Sequence, residues 1–96
     1  MTKIANALAQ IKEKIILNGY AFSSHAEQEM QEDFINEAEV EDAIISGRVV
    51  RIQKDRLKRT IYTIEGTTQH FRQVRIVCRF SDSGQYVIII TVYEII

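Results

Sequence analysis

Apolar residues in the first half of the chain return at intervals of three and four. Ile4, Leu8, Ile11 and Ile15, with Ala7 in the same stripe, predict an amphipathic helix over residues 3–18. Thr2 is a suitable N-cap for it, and Asn18-Gly19 supplies a left-handed close. A second helix is expected from Ser24. Ser24 and Glu27 have capping-box spacing, which puts His25 at the first helical position. Ala26, Met30 and Phe34 follow on one face, and this helix should end near Asp33 or Phe34. The third start signal is the clearest. Asn36 is the expected N-cap and Glu39 completes a capping box, with Ile35 placed to staple against Val40. Val40, Ala43 and Ile44 form its buried stripe and Gly47 ends it. Glu37, Glu39, Glu41 and Asp42 crowd the start of this helix, where the dipole accounts for them.

From Arg48 the period changes to two and β-branched residues dominate. Strands are expected at about 48–53, 59–65, 70–80 and 85–94, joined by "KDRLK", "EGTTQ" and "SDSGQ". The last two turns carry the glycine that a tight turn favours. The predicted fold is therefore α+β: three N-terminal helices, then a four-stranded antiparallel meander. "YVIIITVY" is apolar on both faces, which predicts either a central, doubly covered strand or one that meets another subunit.

Composition narrows this picture without redirecting it. The 96 residues make one domain, 46% hydrophobic and 26% charged, with no proline. No apolar run approaches the roughly 20 residues of a membrane span, and no signal peptide is expected at the N-terminus. Cys78 is the only cysteine, which fits a reducing, cytoplasmic setting. His25 and His70 lack paired-ligand spacing, so neither a metal nor another cofactor is expected. Charge is uneven: residues 1–47 sum to −6 and residues 48–96 to +5. Either the acidic helices face a basic sheet within the molecule, or the basic half presents a surface to an anion.

Several side chains are candidates for chemistry. A histidine beside the unpaired amides of a helix start suits acid–base work on a phosphodiester, and His25 can equally be an ordinary first-turn residue. In "HFRQVRIVCRF" alternation puts Arg72, Val74, Ile76 and Cys78 on the core face; Phe71, Gln73, Arg75, Val77 and Arg79 take the other. Arg72 thus either reaches out at the end of the sheet or points at a polar pocket. Arg48, Arg51, Lys54, Arg56, Lys58 and Arg59 surround the first hairpin, where they grip a nucleic-acid backbone or guard an edge strand. Thr91 and Tyr93 share one face of the last strand, as internally bonded hydroxyls or as contacts to a phosphate or base.

"FSSHAEQEM", "INEAEVEDAIISGRVV" and "VIIITVY" resemble, in that order, the pattern of domain-of-unknown-function family 4258. That pattern reads Ser-x-His-Ala-x-x-Arg-Met, then Ile-(polar)-x-x-Val-x-x-Ala-Ile-x-x-Gly, then Thr-Val-Tyr. The resemblance spans residues 20–94 as a family-like core and leaves 1–19 as a helical extension. It implies a small bacterial protein related by fold to RelE-type and barnase-like toxins, which are metal-independent ribonucleases. His25 matches the family histidine, Arg72 an arginine opening the third strand, and Thr91 and Tyr93 the closing motif. Two departures stand out: Glu29 replaces the usual arginine, and Asp33-Phe34 replaces Arg-Gly. Acids in place of cations weaken a phosphate site by about 1 kcal/mol.

Three functions follow as expectations. The first is a toxin-like ribonuclease acting on RNA by attack of a ribose 2′-hydroxyl on its own phosphodiester. His25 would serve as acid or base, Arg72 would stabilise charge and Tyr93 would orient the phosphate, with Ser24, Arg75, Thr91, Arg51 and Lys58 binding. The second is a non-catalytic module for a cognate protein partner, homodimeric through the last strand. The third is a regulator that holds nucleic acid on the basic hairpin without cutting it.

Overall fold

The computed structural model describes residues 3–96, and the side chains from residue 6 onward. The Thr2 cap and the side chain of Ile4 lie outside the described residues. In chain order the elements are α1 (Lys3–Ile16), β1 (Tyr20–Phe22), α2 (Ser24–Glu32), α3 (Glu37–Ser46), β2 (Arg48–Lys54), β3 (Thr60–Thr67), β4 (Gln73–Phe80) and β5 (Val87–Glu94).

β2 to β5 form the expected antiparallel meander, but the sheet has five strands and is mixed. Its order is β1-β5-β4-β3-β2, with β1 parallel to β5. The helices are correspondingly interrupted, since β1 stands between α1 and α2. Three residues are too few to show a period of two, so β1 carries no pattern in the sequence. Its neighbours hold it in place: Val87 N–H donates to Gly19 O (3.0 Å) and Ser23 N–H to Ile89 O (2.9 Å).

Helix ends explain the remaining differences. Ser23, not Ser24, caps α2: its backbone is extended and its Oγ accepts from Ala26 N–H at 3.0 Å. Ser23 also donates to Ile90 O (2.9 Å), so one hydroxyl starts the helix and ties it to β5. His25 consequently sits at the second helical position. α1 and α2 both end in Schellman motifs, in which a left-handed residue lets two amides reach back to the last turn. Asn18 (φ 58°) fills that position after α1, with Gly19 N–H on Lys14 O at 2.7 Å. Phe34 (φ 55°) fills it after α2, with Ile35 N–H on Met30 O at 2.9 Å. Phe34 is therefore 84% exposed and takes no part in the buried stripe of Ala26 and Met30. The capping box of α3 forms as expected between Asn36 and Glu39.

All three helices cover one face of the sheet. Ile11 and Ile15 of α1, Ala26 and Met30 of α2, and Val40, Ala43 and Ile44 of α3 pack on Ile64, Val74, Ile76, Cys78, Val87, Ile89 and Val92. Gly66 serves this contact rather than the turn expected of it. It lies inside β3, and a Cβ there would come within 1.7 Å of Ala43 O. β4 begins at Gln73, because His70, Phe71 and Arg72 belong to a turn in which Thr68 Oγ1 accepts from His70 and Arg72 N–H. β5 is central but covered on one side only. Among the described residues no helix packs on the other face.

Candidate functional site

The uncovered face is built from strand pairing. Residues directly opposite one another share a face, so the register reads as transverse rows. One row runs Arg48, Glu65, Arg75, Tyr93. The next runs Arg51, Thr63, Val77, Thr91. Gln53 opposes Ile61, and Arg79 opposes Ile88, on the same face. A bulge in β5 between the partners of Val77 and Cys78 brings Thr91 and Tyr93 onto this face together.

Four arginines thus meet two carboxylates, Glu65 in the first row and Asp82 in the β4–β5 turn. Glu65 accepts from Arg75 Nε at 2.9 Å and lies 3.8 Å from Arg48 Nη2. The Tyr93 hydroxyl and then Glu65 raise the Arg75 pKa from its ordinary value, so this guanidinium is firmly charged. Arg79 faces Asp82 at 3.5 Å. Arg48 and Arg51 are exposed. Lys58 lies away from the rows, in the β2–β3 turn, with φ 62°.

On the helix side stand the other predicted residues. The Arg72 guanidinium donates to Phe34 O (2.9 Å), Asp33 O (2.7 Å), Glu39 Oε2 (3.2 Å) and Glu94 Oε1 (2.8 Å). Of the two sequence alternatives for Arg72, it takes the polar pocket, and the pocket is filled by the protein's own acceptors. Its partners pin the α2–α3 junction to the start of α3 and the end of β5. Glu39, expected to complete the capping box and to complement the helix dipole, is also buried here as one of those partners.

His25 is 65% exposed, with Nε2 3.3 Å from Glu29 Oε1. The same oxygen accepts from Val92 N–H at 3.1 Å. Ser23 and Glu29 therefore take up backbone groups of β5 just past the end of β1. β5 consequently lies inside the sheet, and pairing of two copies along it, as expected for a homodimer, has no free strand edge there. Ser24 is exposed at the first position of α2.

The predicted residues thus divide. Arg51, Arg75, Thr91 and Tyr93 share the uncovered face, whereas His25, Ser24 and Arg72 lie on the helix side, with Arg72 and Tyr93 on opposite sides of one sheet. Arg48, expected only as one of the hairpin cations, completes the face with Arg79 and Glu65, which were not singled out as site residues. Their signal was the pairing register, which single strands do not display. Among the described residues no three His, Cys, Asp or Glu side chains gather as a metal site, and no helix is long and apolar enough to cross a membrane.

No curated protein and no solved structure matches the chain. A family model does, over residues 22–94, from β1 to the end of β5, with α1 outside the match. The chain belongs to the family described as Domain of unknown function (DUF4258).

Proposed function

We propose that the protein binds RNA on the uncovered face of its sheet. The observation that carries this reading is the set of Arg48, Arg51, Arg75 and Arg79 on a face that no helix covers, where Glu65 answers Arg48 and Arg75, Asp82 answers Arg79, and Arg51 stands exposed. Guanidinium groups match phosphate geometry, and Tyr93 and Thr91 add hydroxyl donors in the same rows. The half-buried Val77 and Ile88 support ribose and base edges between the charges. The test is binding of a labelled RNA oligonucleotide across a salt series. Affinity should fall steeply with salt, and Arg51→Ala should weaken binding and reduce the logarithmic salt slope by about 1. Salt-independent binding, or none, would end this reading.

A second reading keeps the ribonuclease chemistry that the family resemblance implies. It is favoured by Glu29, which is fixed by Val92 N–H and faces the exposed His25 ring. A carboxylate-oriented imidazole is a fit acid or base for 2′-hydroxyl attack. Arg72, on the same side of the sheet as His25, would stabilise the phosphate after leaving two carboxylates, and Tyr93, on the opposite side, takes no part in this reading. Cleavage of RNA in excess chelator, abolished by His25→Ala, would establish this chemistry. Binding without cleavage by either protein would leave the first reading standing alone.

A further inference from the structure

A cavity of about 560 Å³ lies on the helix side between the end of α1, α3 and the β3–β4 turn. Its apolar lining is Ile15, Ile16 and Ile45, and its acidic lining is Glu41 and Asp42. Ile16 and Ile45 are exposed. At the other end of the molecule the β2–β3 turn presents the opposite chemistry. Leu57 is 72% exposed there, between Arg56 and Lys58. This tip is held rigidly. Asp55 Oδ1 accepts from Leu57 and Arg59 N–H, both at 2.9 Å, and Asp55 Oδ2 takes Arg59 Nε at 2.7 Å.

We propose that this tip docks in the cavity of a second copy of the chain. Leu57 would sit on Ile16 and Ile45, while Arg56 and Lys58 face Glu41 and Asp42. The signs of charge are complementary, and a tip already fixed in shape loses little freedom on docking. A chain cannot fill its own cavity. The tip adjoins Thr60 and the cavity adjoins Thr67, at opposite ends of β3 and roughly 23 Å apart at the rise of a strand. The proposed contact is a single one per pair, head to tail, leaving a free tip and a free cavity, so that assembly grows with concentration. It uses none of the four arginines of the uncovered face and stands independently of the RNA reading.

Sedimentation of the full chain tests the proposal. The native protein should gain mass beyond a dimer as concentration approaches about 1 mM, because a single tip buries less than the roughly 1,200–2,000 Å² of a standard interface. Leu57→Asp removes the tip and Ile45→Asp spoils the cavity, each at an exposed position. Each variant alone should stay monomeric, with association weakened roughly tenfold to a hundredfold. Mixed, they should form a dimer that grows no further, since one live tip meets one live cavity. A native chain that remains monomeric, self-association untouched by Leu57→Asp, or a mixture that fails to pair would each overturn it. A cavity that takes a cationic peptide while the native chain stays monomeric would do so too.

Discussion

Phe34 shows how one residue can satisfy geometry and lose on chemistry. The Schellman motif after α2 needs a left-handed residue, and a bulky side chain at positive φ costs about 1–2 kcal/mol. Its ring recovers nothing, being almost wholly exposed. Glycine, which takes positive φ at no steric cost, should therefore stabilise the fold. Phe34→Gly is expected to gain about 1 kcal/mol, or roughly 4–8 °C in thermal midpoint. Arg72 is the opposite case, a residue satisfied at every donor group that it aims inward. Arg72→Ala would strand the buried Glu39 carboxylate and unpin the end of β5. Urea denaturation should show a loss of about 2 kcal/mol. Cys78 is fully buried, which pushes its thiol up to about 12, so a thiol reagent should modify it only as fast as the protein unfolds.

The elements that could be read in the sequence were those whose signals are local. The capping box of Asn36 and Glu39 and the Val40, Ala43, Ile44 stripe marked α3 correctly. Alternation along β4 placed Val74, Ile76 and Cys78 on the core side and Arg75 on the other. β1 was invisible because three residues carry no period and its partner β5 lies 67 positions away. Ser23 was missed as the cap because two adjacent serines offer the same hydroxyl. Only the bond to Ile90 O distinguishes them. The candidate site was half legible: residue types and phases were in the strands, but which rows they joined depended on register and on a bulge. Gly66 belongs to the same lesson. Its reason is Ala43 across the layer, not its neighbours in the chain. Gly66→Ala should force α3 off the sheet and cost about 2–3 kcal/mol, read as a lower urea midpoint with the strand signature retained.

Across the whole molecule, carboxylates held by arginines within the sheet and its turns set how the fold responds to acid. Arg72 holds the Glu94 carboxyl below its ordinary value of 4.5, and the amide and guanidinium of Arg59 hold Asp55 below 3.8. Both groups bind protons less readily folded than unfolded. Their contribution is complete above the ordinary values and is lost as pH falls through the lowered folded values. Urea midpoints measured from about pH 7 down to about pH 3 should decline below roughly pH 4.5, and the decline should be shallower in Arg72→Ala.

The position of β5 has a consequence for synthesis. This strand stands between β1 and β4, and both α2 and Arg72 lean on it, yet of the eight elements it leaves the ribosome last. Translation supplies residues at about 5–20 per second. For the seconds before residue 87 emerges, β1 has no neighbour to pair with and α2 has no surface to lie on. Only the β2–β4 hairpins, with α3 across them, can gather earlier. The nascent chain thus waits with the slot between β1 and β4 open, and that interval is when a chaperone, or another copy's β5, would find it.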